Sequence, residues 1–185
     1  REDITSPSNF RAQSNLPDWC AAQGLTGICG IDTREMTRHI RMNGAKKAVI
    51  AYKTEGQFDA QAIADSLNNW PGLAGLDLAK DVTTDSDIAW TKGAWALNSD
   101  TNSPDYDQPA DLEQRPHVVA VDYGCKQAIL SCLTNAGLRV TAVPATASYE
   151  EIMAHNPDGI FLSNGPGDPA ATGEYALPVI QQLID

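Results

Sequence analysis

Beyond residue 116 the apolar positions switch between two spacings. "HVVAVD" (117–122), "LRVTAV" (138–143) and "DGIFLS" (158–163) are short apolar runs rich in β-branched residues and bounded by turn formers, the pattern of buried strands. Between them the spacing becomes helical. "CKQAILSCLTNAG" (125–137) carries an apolar stripe of Ala128, Ile129, Cys132, Leu133 and Ala136 stopped by Gly137, and "SYEEIMAHNP" (148–157) opens with Ser148 and Glu151 at capping-box spacing and stops at Asn156-Pro157. A third helix follows "NGPGDPAATGEY" (164–175). Its start is left open by Pro178, which favours a first turn. Strands separated by helices of about ten residues predict right-handed βαβ units and a parallel sheet.

The first hundred residues are patterned less regularly. "SNLPDWCAAQG" (14–24) predicts a short helix with Ser14 or Asn15 as cap, Pro17 in the first turn and Gly24 as stop. "DTREMTRHIRMNG" (32–44) predicts another, with Asp32 as cap, Glu35 three residues on, Met36 and Ile40 on one face and Gly44 at the end. "DAQAIADSLNNWPG" (59–72) predicts a third, capped by Asp59. "GICGI" (27–31) and "KAVIAY" (47–52) read as strands, and the chain through "AWTKGAWAL" (89–97) as irregular with short strands. From Ser99 to Arg115, "SDTNSPDYDQPADLEQR" has no apolar period, five acids, two prolines and one basic residue at its end. This predicts a solvated acidic linker at 99–116 between a domain over 1–98 and another over 117–185.

Composition narrows the function classes. With 42% hydrophobic residues the chain packs a core, and a net charge of −11 argues against sequence-independent nucleic-acid binding and against docking on anionic membranes. No stretch approaches the roughly 20 apolar residues of a membrane span, and "REDITSPSNF" lacks the features of a signal peptide, so a cytoplasmic location is expected. Cys20, Cys29, Cys125 and Cys132 show no metal-ligand spacing and read as free thiols.

In open parallel sheets ligands sit beyond the carboxyl ends of the strands. Two segments fall there: "DYGCK" (122–126) and "SNGPGDP" (163–169). Cys125 opens a helix beside Lys126, a setting that lowers a thiol pKa, yet a nucleophile needs a base. His117 starts the strand that ends near Cys125, and about five residues at roughly 3.3 Å each separate them. His155 belongs to the same far edge, leaving only His39 of the other domain. Cys125 is therefore read as a packed residue of a βα turn. Asp122 and Asp168 at strand ends have the chemistry for Mg²⁺, but "GPGDPA" lacks the P-loop lysine, and no metal site is assigned. Arg34, Arg38 and Arg41 lie on or near one side of their helix, suited to an acidic partner or to water.

"SNGPGDP" holds no reactive side chain. Gly165 and Gly167 allow backbone N–H groups to approach a ligand, and Pro166 and Pro169 fix the neighbouring φ values before anything binds. Such pre-set donors suit negative charge on oxygen, whether a fixed anion or the oxyanion of acyl transfer.

At this loop the sequence resembles the class I glutamine amidotransferases. "GIFLSNGPGDP" and "VVAVDYGCKQAILSCL" look most like the glutamine-hydrolysing small subunits of carbamoyl phosphate synthetases. "GIDTREMTRHIR", "WPGLAGLDLAKDV" and the Trp90, Gly93, Trp95 pattern are similar to the N-terminal domain of those subunits. The resemblance implies an incomplete N-terminal α/β domain followed by the first half of an open, mainly parallel-sheet, flavodoxin-like amidotransferase domain. It implies glutamine hydrolysis through a cysteine thioester, with ammonia passed to a large synthetase subunit that makes carbamoyl phosphate for arginine and pyrimidine synthesis. Gly165 and Gly167 would bind L-glutamine, Gly165 being the oxyanion donor, while ATP and Mg²⁺ would belong to the large subunit. The family's "GxCxGxQ"-like nucleophile turn has no match among these 185 residues, so the chain alone is expected to be inactive. Two rivals are a noncatalytic flavodoxin-like module that binds a phosphate or nucleotide at "SNGPGDP", and another amidotransferase such as the glutaminase subunit of anthranilate synthase, which leaves 1–98 unexplained.

Overall fold

Asn15, Asp32 and Asp59 each accept an N–H from the first turn of a helix, and these caps set the three helices of the N-terminal part: α1 (Leu16–Ala22), α2 (Thr33–Asn43) and α3 (Ala60–Asn69). The computed structural model describes residues 4–10, 12–44, 46–97 and 104–185, and divides the chain into two compact units, residues 1–72 and 73–185. In the first unit the predicted strands "GICGI" and "KAVIAY" are not formed. A strand exists only as one side of a hydrogen-bonded ladder, and among the described residues of this unit no ladder partner is present. None of its described residues is buried, and Ile28, Ile50 and Tyr52 lie exposed.

The second unit is built on a four-stranded sheet of β1 (Ile88–Trp90), β4 (His117–Asp122), β5 (Arg139–Pro144) and β6 (Gly159–Leu162), in the order β1-β5-β4-β6. The three predicted strands pair in parallel, with Asp122 level with Pro144 and Val121 level with Leu162, so their carboxyl ends form one edge. β1 adds antiparallel to β5, Ile88 opposite Ala142 and Trp90 opposite Val140.

Alternation along β4 sorts the core onto two faces. Val119, Val121 and Val143 pack on one side with Ile152 of α6 (Tyr149–Ala154) and Ala176 of α7 (Pro169–Ile184). Ala120, Val140 and Ala142 pack on the other with Leu130 of α5 (Gln127–Asn135). Ile152 and the four valines are at most 2% exposed, and burying each contributes about 1.5–3 kcal/mol.

Two expectations are corrected in this unit. α5 buries Leu130, Ser131 and Thr134, not the stripe containing Ala128 and Cys132, which are exposed. Its inward polar groups are tied down: the Ser131 hydroxyl accepts from the Trp90 indole at 3.3 Å and Thr134 donates to the Leu130 carbonyl at 3.2 Å. Apolar periodicity does not register polar residues that bury with their bonds satisfied. α7 starts at Pro169 and carries Pro178 in its interior, where the ring removes one ladder bond.

The acidic stretch is described in part. Residues 99–103 of the expected linker lie outside the described residues. Beyond them β3 (Pro104–Tyr106) pairs antiparallel with β2 (Trp95–Leu97), and a 3-10 turn forms at Leu112–Gln114. The compact units divide at Gly72, and β1, which precedes the acidic stretch, pairs with β5 in the second unit. Among the described residues no helix is long and apolar enough to cross a membrane.

Candidate functional site

The carboxyl edge of the sheet carries two loops, residues 123–126 after β4 and 163–168 after β6, and they interlock through backbone. Ser163 Oγ accepts the Tyr123 N–H at 2.9 Å and donates to the Asn164 carbonyl at 2.7 Å. The Cα of Gly165 lies so close to Tyr123 that a Cβ there would overlap the Tyr123 carbonyl oxygen. Gly124, at φ +112, faces Pro166 in return: a Cβ on it would stand 2.9 Å from the proline Cδ. These glycines permit contact of two backbones, which side chains would hold apart.

The chain before β1, which holds the short helix α4 (Ala79–Val82), forms a strap over the same edge. The Gly75 N–H donates to Asp168 Oδ2 at 2.7 Å, and the Asp168 N–H donates to the Leu76 carbonyl at 2.9 Å. Asp77 accepts from Thr172 at 3.1 Å and Tyr175 at 3.2 Å and pairs with Lys80 at 3.2 Å. Thr84 N–H donates to Asp122 Oδ2 at 3.0 Å, and the Ala145 N–H donates to Thr83 Oγ1 at 2.8 Å. The strap thus crosses the ends of β6, β4 and β5 in turn. The sequence reading missed it because "LAGLDLAKDV" has no periodicity. Its turn-forming Gly75 was the available signal.

Asp122 and Asp168, weighed as metal ligands, spend their oxygens on backbone. Asp122 Oδ1 accepts from Gly124 N–H at 2.9 Å and Cys125 N–H at 2.6 Å, and Asp168 Oδ1 accepts from Ala170 N–H at 2.9 Å. The bonds from Gly75 and Ala170 hold the Asp168 carboxyl below its ordinary value. Burial pushes Asp77 up, but the bonds from Lys80, Thr172 and Tyr175 outweigh it and leave the group below its ordinary value. Among the described residues no three acid, histidine or cysteine groups gather as a metal-binding cluster.

The surroundings of Cys125 work against its thiolate. Burial raises its thiol pKa and the Asp122 charge adds to the rise, against a smaller opposing hydrogen bond from Ser163. His117 and His155 meet edge-to-face at 6.3 Å beside the amino end of β4, so neither serves Cys125. His39 lies on α2 of the first unit. Arg34, Arg38 and Arg41 of α2 line one shallow groove with Thr33 and Thr37, and Arg38 reaches Glu35 at 3.7 Å.

A cavity of about 410 Å³ opens against the "SNGPGDP" loop, lined by Tyr123, Ser163, Gly165, Pro166 and Gly167 and by Thr172 and Gly173 of α7. Among the described residues the N–H groups of Gly165 and Gly167 have no acceptor. Unpaired donors on a crowded, proline-fixed turn beside an open cavity are chemically competent to receive an anionic oxygen.

Comparison with known proteins finds relatives for both parts of the chain. Residues 1–50 match the carbamoyl-phosphate synthase small chain, CPSase domain, and residues 119–185 match glutamine amidotransferase class-I. The whole chain is 50% identical to a carbamoyl phosphate synthase small chain of Zymomonas mobilis, covering 48% of that protein, and 49% identical to those of Brucella ovis and Brucella suis, covering 44% of each. The chain therefore spans about half the length of the curated relatives it matches. The match over 1–50 accounts for the part that another amidotransferase would leave unexplained, and the two matches together favour an amidotransferase over a noncatalytic binding module. With both family segments in order and similarity along its full length, the chain is similar throughout to carbamoyl phosphate synthase small chains, and its residues 119–185 match class I glutamine amidotransferases.

Proposed function

We propose that this chain forms the glutamine-binding half of a glutaminase site in a carbamoyl phosphate synthase small subunit. The observation that carries the reading is the pair of unbonded N–H groups at Gly165 and Gly167 beside the 410 Å³ cavity. In the complete subunit a cysteine attacks the carboxamide carbon of L-glutamine, the carbonyl oxygen becomes an oxyanion, and the Gly165 N–H stabilises it. The intermediate collapses to a thioester with release of ammonia, and water then hydrolyses the thioester to glutamate. Loss of one such donor lowers the rate on the order of 10²- to 10³-fold.

The surroundings of Cys125 and Cys132, the two cysteines of the second unit, support a different nucleophile. Cys125 is held towards the thiol, and Cys132 lies exposed on α5. Ammonia then passes to the large subunit, where ATP and Mg²⁺ drive carbamoyl phosphate formation for arginine and pyrimidine synthesis. The Arg34, Arg38, Arg41 face is the proposed contact with that subunit, and its charge reversal should weaken co-purification; unchanged assembly removes the assignment.

The test of the site uses the 185-residue chain with ¹⁵N-labelled glycine. Adding L-glutamine should shift the Gly165 and Gly167 amide resonances while leaving Gly137 unmoved, with no glutamate produced and no labelling of Cys125 by a diazoketone analogue of glutamine. Glutamine turnover, Cys125 labelling, or glycine spectra indifferent to saturating glutamine would overturn the reading.

A further inference from the structure

Asp168 ends the donor loop, and it bonds to both the strap and α7. Its backbone N–H is fixed by the Leu76 carbonyl at 2.9 Å, and its two carboxylate oxygens face different elements: Oδ1 caps α7 through Ala170, and Oδ2 receives the Gly75 N–H at 2.7 Å. Only the first of these is needed to start the helix. The second ties the strap to the residue after Gly167.

Gly167 itself is confined by that strap. Its φ is +90, and a Cβ would stand 2.6 Å from the Leu76 carbonyl oxygen and 2.8 Å from the Leu78 nitrogen. On the other flank Gly165 is pressed on Tyr123 and Pro166 on Gly124. The donor turn is therefore gripped between the β4 loop and the strap. The strap is anchored beyond the grip, by Asp77 to Thr172 and Tyr175 of α7 and by Thr84 to Asp122, so it meets the turn as a fixed element.

From this geometry we infer that residues 73–78 act as a clamp that presets the Gly165 and Gly167 donors, with Asp168 as its positioning residue. The inference rests on the glutaminase reading above. Asp168 touches neither substrate nor reacting atoms in this scheme. It acts through the peptide planes of the preceding turn, and a small misplacement of those donors costs rate because they must meet the oxyanion where it forms.

Asp168→Asn separates the two roles of the side chain. Asparagine caps helices as well as aspartate does, so its oxygen retains the Ala170 bond, while its NH₂ is turned on the Gly75 N–H and the clamp bond is lost. In the complete small subunit assembled with its large subunit, Asp168→Asn should lower kcat for glutamine hydrolysis about tenfold or more, with KM changed less than about threefold. Asp168→Ala, which loses cap and clamp together, should be at least as impaired. In the 185-residue chain, amide hydrogen exchange across residues 165–168 should accelerate in Asp168→Asn while exchange in β4 stays at the wild-type rate.

A capping role alone predicts wild-type kcat for the asparagine variant and a defect only for alanine, and that result overturns the inference. Faster exchange with unchanged kcat, or reduced kcat with unchanged exchange, overturns it equally. Absence of glutamine hydrolysis by the wild-type assembly would instead remove the glutaminase reading, and the exchange measurement would still decide whether the clamp exists.

Discussion

Ser163 Oγ lies 2.9 Å from the Tyr123 nitrogen, and through that bond the loop after β6 is seated on the loop after β4. The same hydroxyl donates to the Asn164 carbonyl, so one side chain satisfies a donor and an acceptor of two loops. Ser163→Ala leaves the Tyr123 N–H without its partner in a partly buried position. The expected loss is about 1–3 kcal/mol in urea unfolding of the second unit. A change below about 0.5 kcal/mol would mean that water replaces the hydroxyl and that the bond does not seat the loop.

Gly137 and Gly167 share a backbone angle, φ +91 and +90, but not an environment. A Cβ on Gly137 meets nothing within 4 Å, whereas one on Gly167 meets the strap backbone at 2.6 Å. Gly137→Ala should therefore cost only the conformational strain, about 1–2 kcal/mol, and Gly167→Ala should cost about 1–3 kcal/mol more through overlap that no side-chain rotation relieves. Paired denaturation curves measure the difference. Equal losses would show that the strap yields to the added methyl group.

The same pair illustrates what was legible in the sequence. Caps at Asn15, Asp32, Asp59 and Ser148 were readable because each depends on a side chain within three residues of the amides it bonds. The three parallel strands were readable as dense apolar runs. β1 was legible only as one of the short strands of an irregular stretch, because three residues, Ile88–Trp90, are too short for a period to emerge and its exposed edge imposes little pattern. The strap was missed because its bonds join Gly75 to Asp168 and Asp77 to Thr172, separations of 93 and 95 residues, with backbone supplying much of the hydrogen bonding. The loop at 163–169 stood out by its Gly and Pro content, but the residues that grip it did not. Backbone contact at Tyr123 and Leu76 leaves no mark on residue type beyond the glycine opposite.

His117 should make the second unit acid-sensitive. It is 3% exposed, with Nε2 2.8 Å from Thr141 Oγ1 and Nδ1 3.1 Å from the His155 carbonyl. Burial lowers its pKa and the Arg139 charge lowers it further, while the bond to the His155 carbonyl and the Asp158 charge oppose. The folded form then binds fewer protons than the unfolded chain, so stability rises with pH through the window between the lowered value and the ordinary one near 6.5. The contribution is fully present above about pH 6.5 and is lost as the pH falls through that window. Unfolding measured from pH 7.5 to 5 in an Asp87→Asn background, which removes the His155–Asp87 pair at 3.0 Å, should show this slope. His117→Gln should flatten it. An unchanged slope in the glutamine variant would assign the effect to another group.

Cys125 should be the slow thiol of the second unit. Alkylation by iodoacetamide proceeds through the thiolate, and both burial and the nearby Asp122 charge disfavour that form at Cys125. Its Sγ also contacts the Lys126 carbonyl at 3.6 Å, an acceptor that favours the protonated group. Cys132 stands exposed on α5 and serves as the internal reference. At pH 7.5, peptide mapping should find Cys125 modified at least about tenfold more slowly than Cys132, since access and thiolate fraction act in the same direction. Labelling of Cys125 should accelerate as the pH rises, because its raised pKa leaves more of its thiolate still to form. Faster labelling of Cys125 would mean that the helix start and Lys126 dominate its electrostatics, and would return it to consideration as the nucleophile.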